Sequence, residues 1–168
     1  PKADPLQPVY HYTSVAALKR IALSGELHLY SVEKRLGQGE LDVFARDHNL
    51  QGYLDVSVGG PFFKELAKDL FYTSFARSSQ SNQDNWNVFA DGGKGVRLTI
   101  ALQPKQCELR PIQYAQPSRS LLVELNKALA QEGLPAFVPW TISMIGAFYL
   151  PSTLQYEDEV RLLIKRHQ

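Results

Sequence analysis

Leu70-Phe71-Tyr72-Thr73-Ser74-Phe75, near the middle of the chain, is dense in aromatic residues and carries two hydroxyls close to its end. That composition favours a β-strand. Two other segments frame it. Val9-Tyr10-His11-Tyr12 reads as a short early strand, and Val160 to Ile164 as the final one, preceded by Tyr156-Glu157-Asp158-Glu159. Three strands thus carry, in chain order, a His, a hydroxyl pair and a carboxylate. Further strands are expected over Val96 to Leu102, Cys107 to Tyr114 and Ile142 to Tyr149, with an extended stretch at Leu27-His28-Leu29-Tyr30.

Helices fill the intervals. Ser14 is placed to cap a helix over Val15 to Leu23, with Leu18, Ile21 and Ala22 at helical spacing and Gly25 as its stop. Others are expected across Phe62 to Leu70 and Asp84 to Ala90, and within Pro117 to Ala130, the last with Leu121, Leu122, Leu125 and Leu129 on one face. Residues 34 to 60, rich in Gly and polar groups, read as a long loop holding a short helix around Asp42 to His48. Asp91-Gly92-Gly93-Lys94-Gly95 is a turn. It lacks the Gly-x-x-x-x-Gly-Lys-Ser/Thr spacing of a phosphate loop, and a strand follows where that motif requires a helix. The class is α+β.

The chain has 168 residues, which suits one domain over residues 9–168 that buries roughly 70% of its unfolded surface. Eighteen Lys and Arg against 17 Asp and Glu exclude a strongly basic nucleic-acid-coating protein, though not a local basic groove. One cysteine, Cys107, excludes an internal disulfide framework and a thiolate-rich metal site. The four His residues never fall at a metal-ligand spacing, so no metal is expected. No apolar run approaches the ~20 residues of a membrane span, and no membrane insertion is expected. Pro1 to Pro8, with three Pro in eight positions, reads as a linker from a longer protein.

The His, hydroxyl and Glu strands, taken with Asn85-Trp86-Asn87-Val88-Phe89-Ala90 and Tyr156-Glu157-Asp158-Glu159-Val160-Arg161, resemble the ADP-ribosyltransferases of the His-Tyr-Glu type. They also look like bacterial domains found at the tips of Rhs-type and type VI secretion effectors. The resemblance spans roughly residues 9 to 165 and implies an ADP-ribosyltransferase-like split mixed/antiparallel β-sheet core with flanking helices. It implies NAD+ as co-substrate and a mono-ADP-ribosyltransferase toxin domain that passes ADP-ribose to a protein or nucleic-acid acceptor. His11 then matches the residue that binds the NAD+ ribose, and the Tyr12 backbone the group that bonds the carboxamide, with Thr13 beside it. Ser74, or Thr73, matches the hydroxyl that steadies the catalytic Glu. Glu159 matches that Glu, and Glu157 completes a Glu-x-Glu. On a strand, residues two apart face the same side, so both can reach one site. The aromatic that stacks on nicotinamide is open among Tyr30, Tyr53, Tyr72 and Trp86, and Arg77 is a candidate contact to the pyrophosphate. The same resemblance implies a monomer delivered by secretion into the cytoplasm of a target cell in interbacterial competition, with a cognate immunity protein.

Plainer readings stand beside these. His11 is also what a strand-end His bonding a backbone group looks like. Glu157-Asp158-Glu159 also reads as a solvated acidic strand start paired with Arg161 and Lys165, and Trp86 with Phe89 as core. Arg77 also reads as a surface residue. An NAD+ glycohydrolase, in which water replaces the acceptor, and a non-catalytic binding module are the rival functions.

Overall fold

The computed structural model describes residues 7–35, 43–48, 50, 67–78, 80, 82–103, 107–116, 120–137 and 142–166. Its centre is a curled, half-barrel antiparallel sheet. The long strands are β1 (Pro8–Thr13), β3 (Leu70–Ala76), β4 (Val96–Ala101), β5 (Glu108–Pro111) and β8 (Glu159–Lys165), with a two-residue β2 (Tyr30–Ser31). They lie in the order β4-β1-β3-β8-β5, and β2 pairs with β3. Two further short strands, β6 (Gln113–Tyr114) and β7 (Tyr149–Leu150), form a parallel pair of their own.

The pairing is uneven. β1 runs against β4 over six positions, from Pro8↔Ala101 to Thr13↔Val96, and β3 against β8 over seven, from Leu70↔Lys165 to Ala76↔Glu159. Between β1 and β3 there is one pair, Tyr10↔Ala76. β2 takes the other end of the same β3 edge, at Phe71 and Tyr72. Residues 73–75 therefore face a gap on that edge. Two ladders meet at a single seam.

Helices follow local chemistry. α1 (Val15–Ser24) starts where the Ser14 hydroxyl accepts the Ala17 N–H at 3.1 Å and stops at Gly25, which is left-handed. α2 (Val43–Asp47) lies within the expected loop, and a 3₁₀ turn at Glu33–Arg35 stands at the start of that loop. α3 (Gln83–Phe89) is capped by Asn82 and α4 (Leu121–Gln131) by Ser120. α5 (Ile142–Gly146) packs on α2. None of these helices is long and apolar enough to cross a membrane among the described residues. The main core joins Val32, Leu70, Tyr72, Ile112, Phe148, Leu150 and Leu163; fully burying one such Leu is worth about 1.5–3 kcal/mol. A smaller cluster of Tyr12, Ala76 and Ala90, with Tyr10 and Trp86 against it, fills the space under α3.

Gly95 closes the turn between α3 and β4. A Cβ there would strike the Thr13 carbonyl and come within 2.9 Å of Ala90 backbone atoms, so only glycine lets β4 begin beside the end of β1.

Four sequence expectations need correction. Residues 142–148 form α5 and a turn, and only Tyr149 of the expected strand is in one, as the start of β7. The apolar run is too short for its composition to separate strand from helix, and Ala147 and Phe148 are claimed by the core. Cys107 to Tyr114 breaks into β5 and β6: Pro111 still pairs with Val160 and the Ile112 N–H still reaches the Glu159 carbonyl of β8, but the Gln113 N–H turns to the Phe148 carbonyl instead. The stretch 27–29 belongs to no element, and pairing begins only at Tyr30. Leu70 opens β3 rather than ending a helix, after a left-handed Asp69; residues 62–66 of that expected helix lie outside the described residues.

Candidate functional site

The gap between the ladders opens into a cavity of about 350 Å³. Of the residues singled out from sequence, His11, Tyr12, Thr13, Tyr30, Tyr72, Thr73, Ser74, Glu157 and Glu159 line it. Arg77 and Trp86 are not among its lining residues. Arg77 is exposed and pairs with Asp158 at 2.6 Å. Trp86 turns its ring edge-on to Tyr12, 5.2 Å between centroids, and packs with the small cluster beneath α3. Its helix does reach the cavity, through Asn85, Val88 and Phe89. Their i, i+3, i+4 spacing marks that face; of the pair read together from sequence, Phe89 is on it and Trp86 is not.

His11 bridges the gap. Its Nδ1 lies 3.2 Å from the Ser74 carbonyl, and its ring meets Phe75 edge-on. A carbonyl can only accept, so Nδ1 carries the hydrogen and the neutral ring keeps Nε2 as an acceptor. Burial lowers the His11 pKa below its ordinary value, an effect the Ser74 bond partly opposes. The neutral form is therefore the resting one near pH 7. The plainer reading of this residue holds, since it bonds a backbone group, and the residue also lines the cavity.

Glu159 opens β8 with a side chain 5% exposed. Arg161, two positions on and therefore on the same face of the strand, grips it with both arms: Nε to Oε1 at 2.7 Å and Nη2 to Oε2 at 3.2 Å. The third donor group, Nη1, goes to the Ala147 carbonyl at 2.7 Å, and the guanidinium lies 4.5 Å over the Tyr72 ring. The acid is thus paired with Arg161, as the plainer reading had it, but the pair is buried rather than solvated. Its orientation is fixed by two planar groups bonded fork to fork.

Tyr114 adds a second hold. Its hydroxyl accepts the Glu159 N–H at 2.8 Å, and burial, reinforced by Glu159 and the acids before it, pushes the phenol up to about 12. Sequence gave no warning of this contact, since Tyr114 lies 45 positions earlier.

The hydroxyl strand contributes differently from its expectation. In the β3–β8 register Ser74 stands opposite Arg161, and Ala76 opposite Glu159. It is the Ser74 carbonyl that is engaged, by His11, while Thr73 is buried at 1% exposure. Glu157 is not on β8. It ends a 3₁₀ helix (Ser152–Glu157), and a left-handed Asp158 separates it from the strand. The expected strand alternation of Glu157 and Glu159 therefore does not hold, although both reach the cavity. Glu157 sits where the cavity meets a polar groove bordered by Ser78, Gln80, Asn82 and Tyr156.

Among the candidate nicotinamide aromatics, Tyr72 is buried beneath Arg161, Tyr30 is half exposed at the cavity mouth with Arg35 over its ring, and Tyr53 lies outside the described residues. Arg35 and Asn85 line the cavity without having been singled out. Among the described residues no three His, Cys, Asp or Glu side chains group closely enough to hold a metal ion. Chemically, the cavity offers a neutral imidazole acceptor, an oriented carboxylate, aromatic faces and a second carboxylate at its edge. No family model, curated protein or solved structure matches the chain.

Proposed function

We infer that this domain binds NAD+ in the gap between the two ladders and cleaves its nicotinamide–ribose bond, as a mono-ADP-ribosyltransferase. The reading is carried by one observation: His11, the Thr73-Ser74 strand and Glu159, far apart in sequence, come from β1, β3 and β8 to a single cavity. His11 Nε2 accepts a ribose hydroxyl. Glu159 accepts another and stabilises the positive charge that develops on the ribose as the bond breaks. The C–N bond electrons leave with nicotinamide, which departs as a neutral ring and needs no general acid. The acceptor atom bonds to the ribose carbon, and its proton passes to Glu157 or to water.

Hydrolysis of NAD+ is the second reading, favoured by one feature. Glu157 is displaced from the strand by the left-handed Asp158, which weakens the case for a carboxylate dedicated to a macromolecular acceptor. The toxin role, the secretion route, the target-cell cytoplasm and the immunity protein rest on the resemblance alone.

The deciding experiment incubates the purified domain and its Glu159→Gln variant with labelled NAD+ and a cell lysate. Label on protein or nucleic acid that disappears in the variant supports transfer and identifies the acceptor class. Free ADP-ribose alone supports hydrolysis, and no turnover of NAD+ sinks both in favour of a binding module.

A further inference from the structure

Two residues that line the cavity each carry a buried polar atom with no hydrogen-bond partner among the described residues: the Tyr12 hydroxyl and Asn85 Oδ1. Tyr12 is 7% exposed and Asn85 3%. Buried polar groups are nearly always paired, because removing their water without replacing its bonds is costly. Here folding pays that cost twice at one cavity. The two groups come from β1 and α3, which are held together through the Tyr12–Trp86 contact, so they are fixed before any ligand arrives. Asn85 also borders the adjoining polar groove, and a mid-helix Asn contributes little to the helix itself. Neither side chain is charged. A phosphate or carboxylate placed against them would lose hydration without gaining a counter-charge from them. A neutral group would gain bonds at no such penalty.

We propose that the Tyr12 hydroxyl and the Asn85 carboxamide are ligand-binding groups that take a neutral edge presenting a hydrogen-bond donor beside an acceptor. The proposal rests on the NAD+ reading. NAD+ carries two such edges, the carboxamide of nicotinamide and the amino edge of adenine, and the chemistry that recognises them is shared. Either way, the cavity selects by hydrogen bonding as well as by shape, since an analogue lacking the edge leaves both groups unpaired.

The test measures equilibrium binding to the whole chain and to its Tyr12→Phe and Asn85→Ala variants. The probes are NAD+, an analogue with an acetyl group in place of the carboxamide, and one with hypoxanthine in place of adenine. Each substitution is expected to weaken NAD+ roughly tenfold, the loss of about one buried hydrogen bond. Wild type is expected to bind one analogue roughly tenfold more weakly than NAD+, and Asn85→Ala, which lacks the acceptor for the amino group that both analogues have lost, to lose that preference; the analogue concerned identifies the edge. A second readout needs no ligand. Tyr12→Phe should melt at or above the wild-type temperature, because the hydroxyl has no protein partner to lose; a clear fall shows a structural role and overturns the proposal. Unchanged NAD+ affinity in both variants, or equal binding of both analogues by wild type, overturns it while the NAD+ reading stands. Failure of the wild type to bind NAD+ overturns both.

Discussion

Replacing Arg161 with Met would test whether the carboxylate of Glu159 is held by a true buried pair. The change removes two bonds to Glu159 and one to the Ala147 carbonyl and keeps most of the side chain's apolar bulk. What remains is an acid 5% exposed with its countercharge gone. Stranding one member of a buried pair costs about 3–5 kcal/mol, and an orphaned carbonyl adds about 1 kcal/mol. Taking about 5 kcal/mol as the net, and about 2–4 °C per kcal/mol for a chain of this size, the melting temperature should fall by roughly 10–20 °C. The measurement is urea unfolding and thermal melting of four proteins: wild type, Arg161→Met, Glu159→Gln and the double variant. Because the two residues share one interaction, the double variant should be more stable than the summed single losses imply, by about 2 kcal/mol. A loss below about 1 kcal/mol in Arg161→Met, or strict additivity across the four, would refute the reasoning and return the pair to the status of a surface contact.

Three further outcomes are expected. Glu159→Gln should lower NAD+ turnover by about 10²–10³, the scale of removing one charge-stabilising group, with NAD+ binding checked separately; wild-type turnover would remove Glu159 from the chemistry. Gly95→Ala should destabilise by about 1–3 kcal/mol through overpacking against the backbone of Thr13 and Ala90, and a melting temperature equal to wild type would show that the turn yields. Because the folded-state pKa of His11 is lowered, the unfolded chain binds the proton more readily. The resulting penalty is absent above about pH 6.5 and grows as pH falls below it. Unfolding free energies between pH 5 and 7.5 should therefore drop more steeply in wild type than in His11→Gln, and parallel curves would contradict this.

Much of the frame was legible because its signals are local. Ser14 and Gly25 delimit α1 within a residue of expectation, and the aromatic composition of residues 70–75 marks β3. What escaped depends on tertiary contacts. Whether 142–148 is strand or helix is decided by α2 and the core, and the end of β5 by the Gln113 N–H, which bonds to the Phe148 carbonyl rather than to β8. In the candidate site, residue types marked the lining strands, but not which side of α3 faces inward. Glu157 was misplaced because one left-handed residue, Asp158, interrupts an otherwise strand-like run. The pairing of Glu159 with Arg161 was foreseen as an alternative; its burial was not, since two charges in sequence carry no mark of the Ala147 carbonyl and Tyr72 ring that enclose them.

The lone Tyr10↔Ala76 pair has a mechanical corollary. A sheet continuous across its width resists opening with every rung of every ladder, whereas here two stiff panels share one rung. A small rotation about that rung alters the distance between the panels without breaking the six rungs on one side or the seven on the other. The His11 ring, reaching from one panel to a carbonyl of the other, then acts as a spacer. Efforts to re-size the cleft for a bulkier or slimmer guest should accordingly begin with the spacer and the rung, and leave the panels alone.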